Sequence, residues 1–177
     1  MEPLQLAHAL LDAGASTLWW RDKRRQPCTR SASAAARLPA RVWLNPKLCS
    51  AAEAWHADSA TLAEWARAGE VLGERPAWVS ASAHTLDEVR AAATLGLDAV
   101  TLSPIWSTAS KPSATSLGLD PLREAAGILP VYALGGVDPE RARAAFAAHA
   151  VGVAAIGAFC VDDPRGAWRA FERALGV

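Results

Sequence analysis

Cysteine is scarce in this sequence. Cys28, Cys49 and Cys160 are the only three, an odd number, and none is spaced as C-x-x-C. A disulfide framework and a structural zinc site are therefore not expected. A charge excess of either sign is also lacking: Lys and Arg total 18, Asp and Glu total 18. Such a chain has no electrostatic footprint for nucleic acid or an anionic membrane, so an anionic ligand must be held by a few local cations or by backbone N–H groups. Long apolar runs are missing too, with nothing near the ~18 residues of a membrane span. The first twenty residues carry Glu2, His8 and Asp12 and have no basic start. An ordinary signal peptide is not expected, and a cytoplasmic location is. Tyr and Phe are few, one and three, against eight Trp.

What is present is enough apolar material for a core. Half of the 177 residues are hydrophobic, 51%, and this suits one domain over residues 1–177. Short apolar runs recur at Thr17–Trp20, Val42–Leu44, Ala77–Val79, Ala99–Leu102, Pro130–Leu134 and Val151–Ile156, with Ala54–Ala57 a weaker seventh. They are continuous rather than alternating, as in parallel strands covered on both faces. Helical patterns fall between them. Thr85-x-x-Glu88 spells a capping box ahead of the stripe Leu86, Val89, Ala93 and Leu97. Asp138-Pro139 and Asp163-Pro164 pair an N-cap with proline at the first helical position. Behind them lie the faces Ala142, Ala145, Phe146 and Trp168, Phe171, Leu175. Strand, loop and helix in repetition predict a parallel α/β barrel of the TIM type.

The strongest local signal for chemistry is Ala133-Leu-Gly-Gly-Val-Asp-Pro139. A strand ends in two glycines and a capped helix starts at once. Gly135 and Gly136 allow close approach of the backbone to an anion, and the helix start adds positive potential. One strand later, Ile156 and Gly157 make a second small turn. Loops after the last two strands are the usual phosphate site of such barrels. The same glycines also suit plain tight turns, so both readings stand at this point. Arg21 and Lys23 follow a strand on one side of an extended chain and suit a second anionic group, although Arg24 and Arg25 make a solvated basic loop an equal description. Residues 103–119 form the longest segment without a periodic pattern, at the carboxyl end of a strand, and carry Thr108 and Lys111. Asn45 and Ser82 stand near strand ends, His56 lies within the seventh apolar run, and Trp19 shares the parity of Arg21. Taken alone, His56 reads as a satisfied structural histidine. No Walker loop, G-x-G-x-x-G, H-E-x-x-H or ordered Ser/His/Asp set is present.

Together these motifs resemble the thiamin phosphate synthase/TenI family of TIM barrels. The resemblance rests on Arg21-x-Lys23, Leu44-Asn45, Trp55-His56, Ser82-x-His84-Thr85-x-x-Glu88, Leu102–Lys111, Leu117-Gly118, Pro130–Gly136 and Val153–Ala158. The part from Ser82 onward is most similar to TenI-like domains fused to Nudix hydrolases. The resemblance implies that Gly135, Gly136, Ile156 and Gly157 hold the phosphate of a thiazole phosphate or thiamin phosphate. It implies that Thr108, Lys111 and Gly118 lie over the thiazole, and that Arg21, Lys23, Asn45 and Ser82 face a pyrimidine diphosphate. Lys111 and His56 are the candidate catalytic groups.

The chain departs from the synthase pattern where that pattern has two metal-binding Asp residues. Pro46 and Thr61 stand there, with Asp58 nearby and Thr61-x-x-Glu64 spelling a capping box. Mg²⁺ is expected only for a true synthase, and a TenI-type thiazole tautomerase, which needs no metal, is the preferred activity. The TenI proton-moving histidine falls at Pro104. Family members also open with a strand that this chain lacks, since Glu2-Pro3-Leu4 already begins a helix. Seven strands rather than eight are expected, with a homodimer covering the gap. A non-catalytic phosphate binder is the further alternative.

Overall fold

The computed structural model describes residues 2–15, 17–20, 35–38, 41–108 and 112–176. Within them the chain runs α1 (Pro3–Asp12), β1 (Thr17–Trp20), β2 (Arg41–Leu44), β3 (Ala54–Ala57), α2 (Ser59–Ala68), β4 (Trp78–Ala83) and α3 (Leu86–Thr94). It continues through β5 (Ala99–Leu102), α4 (Leu119–Ala126), β6 (Val131–Leu134), α5 (Pro139–Ala147), β7 (Gly152–Ala154) and α6 (Pro164–Leu175). The seven strands pair in chain order, and every pairing is parallel. Among the described residues β1 pairs only with β2, and β7 only with β6. The result is a curled TIM-like half-barrel, open where an eighth strand would sit. All seven apolar runs are strands, the weak one at 54–57 included.

Local chemistry starts the helices as expected. Thr85 Oγ1 accepts from the Glu88 amide while Glu88 accepts from the Thr85 amide, both at 3.2 Å. Asp138 and Asp163 cap α5 and α6 by accepting from Arg141 N and Gly166 N, each at 2.8 Å. Two expectations need correction. The capping box at Thr61–Glu64 is not formed. Asp58 caps α2 by accepting from Thr61 N at 2.8 Å, Thr61 is buried one turn inside, and Glu64 faces solvent in an ion pair with Lys47 at 2.8 Å. Asp58 prevails because its shorter side chain already sits at the turn where the free amides point. Phe146 does not join Ala142 and Ala145 in the buried face of α5; it is 40% exposed.

Two packing layers follow from the strand period of two. Outward-facing Leu44, Trp55, Val79, Val100, Leu102 and Val131 pack beneath the helices as one cluster. There Trp55 meets Trp65 of α2, ring centroids 6.3 Å apart. Both are essentially buried, each stabilising the fold by about 1.5–3 kcal/mol. The inward residues form the second layer. Trp43 of β2 contacts Trp78 of β4 at 5.7 Å and Tyr132 of β6 at 5.5 Å, edge to face. Alternate strands thus supply one ring layer, as barrel interiors require. The indole N–H groups of Trp43 and Trp78 have no acceptor among the described residues, so ring packing alone holds this layer.

Tyr132 lies flat over Gly152, its register partner on β7. A Cβ at residue 152 would stand 2.6 Å from the ring carbons. We expect Gly152→Ala to lower stability by about 1–3 kcal/mol through overpacking, measured by urea unfolding with unchanged m-value.

Candidate functional site

Because every strand is parallel, all seven carboxyl ends lie on one face. A cavity of about 1350 Å³ opens there and through the gap between β1 and β7. Its polar wall is Asn45, Lys47, His56, Asp58 and Ser82, and Ile156 closes it from the β7 side. The open side is lined by Leu10 of α1, Leu18 and Trp20 of β1, Val153 of β7 and Trp168 of α6.

Asn45, at the end of β2, donates through Nδ2 to Asp58 Oδ2 at 3.1 Å. Its Oδ1 accepts the Lys47 amide at 2.9 Å, an Asx turn that seats Pro46. His56, on β3, lies between two serines of β4, with Nδ1 2.9 Å from Ser80 Oγ and Nε2 2.9 Å from Ser82 Oγ. The Trp19 ring stacks on the imidazole at 4.1 Å, interplanar angle 28°. Trp19 therefore faces the interior, as its parity predicts. His84 Nδ1 donates to the Ser103 carbonyl at 2.7 Å. It lines a separate, smaller pocket with Leu117 and Pro121 and serves the 103–108 segment rather than the cavity.

The glycine-bearing bends lie at the same end of the sheet, since Leu134 and Ala154 are register partners. Their roles differ. Gly135 (φ +96°) and Gly136 (φ +65°) are where the segment after β5 lands: a Cβ would fall 2.8 Å from Pro104 at residue 135 and 2.4 Å from the Ser107 carbonyl at residue 136. Ile105 N donates to the Leu134 carbonyl at 2.9 Å and Trp106 N to that of Gly135 at 3.1 Å. The pair is thus demanded by chain-to-chain contact. Gly157 has nothing within 4 Å of a built Cβ and lacks a left-handed φ, so its surroundings are open. Gly135, Gly136 and Gly157 adjoin cavity-lining Leu134 and Ile156 without themselves forming its wall. Gly118 caps α4 and donates to the Ile105 carbonyl at 3.0 Å. Neither it nor Thr108 lines the cavity. Arg21, Lys23 and Lys111 lie outside the described residues.

Two groups, Arg141 and Lys47, escaped the sequence reading. Arg141 donates to the Gly136 carbonyl at 2.7 Å, and its guanidinium lies 5.8 Å from the Trp106 ring centroid. This cation thus stands beside the first bend. The spacing Asp138-x-x-Arg141 was a usable signal for it. Lys47 lines the cavity while paired to Glu64, and Ser80 is fully buried beneath His56. Lys47 does not announce itself in the sequence, whereas Ser80 is visible there as a strand-end serine suited to a ligand or a loop cap.

A divalent cation does not fit these residues. The positions of the two synthase carboxylates hold Pro46 and a buried Thr61, and among the described residues no cluster of three His, Cys, Asp or Glu side chains is grouped to hold a metal. Among the described residues Asp58 and Glu2 are the carboxylates on the cavity wall, and only Asp58 lies beside Asn45 and His56. The Asp58 oxygens accept from Asn45 Nδ2 and Thr61 N. Cys49 and Cys160 are free thiols. No described helix is long and apolar enough to cross a membrane.

A curled parallel sheet with glycine bends at the carboxyl ends of its last two strands defines a TIM-like α/β protein. The family described as thiamine monophosphate synthase matches residues 2–159, and the chain belongs to it. It is 41% identical over 83 residues to the putative thiamine-phosphate synthase 2 of Aquifex aeolicus, covering 46% of this chain and 45% of that one. It is 35% identical over 183 aligned residues to the bifunctional protein ThiM/ThiE of Symbiobacterium thermophilum, covering 95% of this chain and 38% of that one. The chain spans less than half the length of these curated relatives. The thiamine phosphate pyrophosphorylase of Pyrococcus furiosus shares the fold with TM-score 0.74 at 18% identity, covering 99% of this chain and 90% of that one. The enzyme of the same name from Bacteroides thetaiotaomicron does so with TM-score 0.67 at 21% identity, covering 99% and 92%.

Gly136→Ala places a Cβ against a carbonyl at a left-handed φ. We expect a loss of about 2–4 kcal/mol, whereas Gly157→Ala stays within about 0.5 kcal/mol of wild type. Thermal unfolding of the two variants checks the contrast.

Proposed function

We propose that the protein binds a thiazole phosphate or thiamin phosphate at the cavity mouth and isomerises a carboxythiazole phosphate, as TenI-type members do. The observation that carries this is the pair of adjacent bends at β6 and β7, the second opening on free space at Gly157. In this reading the phosphate takes the amide N–H groups of Gly135, Gly136, Ile156 and Gly157, with the start of α5 and Arg141 adding positive potential. The ring extends towards His56 and Ser82, with Lys111 above it as the resemblance implies, whereas Thr108 and Gly118, which do not line the cavity, are not assigned to it. Arg21, Lys23 and Asn45 serve a second anionic group.

Synthesis of thiamin phosphate is the second reading, favoured by the printed names of the relatives. It requires release of pyrophosphate, and the missing metal carboxylates rank it below isomerisation. Binding without turnover is the remaining alternative.

Gly136 is a poor probe of phosphate binding, because a side chain there displaces Ser107 and Trp106. Gly157 is the clean one. Calorimetric titration with thiazole phosphate and thiamin phosphate should give similar affinity for wild type and Gly157→Ala. Gly157→Asp should bind at least about tenfold more weakly, about 1.4 kcal/mol, through charge repulsion. Equal affinity for Gly157→Asp removes the phosphate assignment. Metal-independent aromatisation of carboxythiazole phosphate supports isomerisation; Mg²⁺-dependent pyrophosphate release supports the synthase instead.

The proposal includes a homodimer. The edges of β1 and β7 leave N–H and C=O groups without strand partners among the described residues, and such edges associate. Light scattering should give twice the mass of the 18.6 kDa chain; a monomer at high micromolar concentration refutes it.

A further inference from the structure

Two hydrogen bonds of His56, to Ser80 and Ser82, can be given a direction. Ser80 Oγ lies 3.1 Å from the Trp55 carbonyl oxygen. A carbonyl only accepts, so the Ser80 hydroxyl proton points there. The same Oγ is 2.9 Å from His56 Nδ1. With its proton on that carbonyl, Ser80 accepts from Nδ1, which then carries the ring proton; this is the arrangement that uses both contacts of Ser80. In the neutral imidazole Nε2 is then the bare nitrogen. It stands 2.9 Å from Ser82 Oγ and accepts that hydroxyl proton. Ser82 and His56 line the cavity, whereas Ser80 is fully buried. The Trp19 ring at 4.1 Å fixes the plane of the imidazole. A nucleophilic or proton-carrying hydroxyl, a base within reach and a third group orienting the base form a recurrent catalytic arrangement.

We infer that Ser82, His56 and Ser80 are a proton relay facing the cavity. Ser82 exchanges a proton with the bound ligand, His56 Nε2 is the base, and Ser80 is a positioning residue that sets the tautomer. The relay deepens the proposed isomerase reading and rests on it for the identity of the ligand, a small phosphorylated ring with an exchangeable C–H. In the forward step a proton leaves one ligand atom for Ser82 Oγ while the Ser82 proton passes to Nε2, leaving an imidazolium whose Nδ1–H is still held by Ser80. The reverse movement places a proton on a second ligand atom. One bond to hydrogen breaks, one forms, and no electrons are gained or lost. Such a relay supplies the proton transfer for which Pro104 has no side-chain group.

The arrangement is tested first without ligand. Nitrogen-15 correlation spectra of the wild-type chain, with His56 assigned by its loss in His56→Gln, should show the Nδ1–H form. Ser82→Ala should keep that form. Ser80→Ala should yield a mixture of tautomers, and Ser80→Thr, which retains the hydroxyl, should restore the single one. An Nε2–H form in the wild type, or an unchanged spectrum in Ser80→Ala, overturns the relay whatever the ligand. With carboxythiazole phosphate, Ser82→Ala should bind as wild type does yet aromatise it about 10²-fold more slowly or worse. Full turnover by Ser82→Ala, or no turnover by a wild type that binds the ligand, overturns the relay's chemical role. Failure of the wild type to bind thiazole phosphate in the calorimeter instead removes the ligand reading and leaves the tautomer result standing by itself.

Discussion

A layer of aromatic contacts centred on Trp43 crosses the interior of this curled sheet. Among the described residues no strand pairs β7 with β1, so hydrogen bonds alone do not close the ring. Trp43 spans that space instead, meeting Trp78 at 5.7 Å and Tyr132 at 5.5 Å. It links β2, β4 and β6, which are never adjacent in the sheet. Tyr132 reaches Trp43 because its ring lies over a glycine in the next strand. Among the described residues this ring layer, with Trp19 on His56 joining β1 to β3, opposes flattening of an open seven-stranded sheet.

That layer also forms the floor of the site. Above it, Trp19 stacks on His56, and His56 is bracketed by two serines. The indole rings give the few polar contacts at this floor an apolar surround, which strengthens them. Hydrophobic packing and the proposed proton path are therefore one construction: rings fix the imidazole plane and hydroxyls fix its proton.

The glycine bends show how a feature can serve two ends. Gly135 and Gly136 accept the backbone of residues 104–107 at distances no side chain allows. That contact pins the start of the long segment after β5 across the end of β6. Gly157 carries no such duty, and its surroundings are open. Pairing of Asn45 with Asp58 likewise has a structural half, because Asp58 also caps α2. Function and folding draw on the same side chains along this rim.

Much of the fold was legible in the residues. Unbroken apolar runs marked all seven strands, and Asp-Pro and Thr-x-x-Glu marked the starts of three helices, because these signals act within one turn or one strand. Thr61-x-x-Glu64 misled because Asp58, three residues earlier, competes for the same free amides. Phe146 misled because periodicity assigns a face without saying whether a neighbouring element covers it. The ends of strands carrying Asn45, His56, Ser82 and the glycines could also be named from the sequence, since parallel strands put every carboxyl end on one side. Their partners could not. Ser80 beneath His56 and Pro104 on Gly135 meet across strand register or from separate loops, at separations of 24 and 31 positions. The sequence alone determined which elements form and which ends face the site. Only the tertiary structure decided which side chains touch there and which way their protons point, because hydrogen-bond direction is a property of neighbours in space.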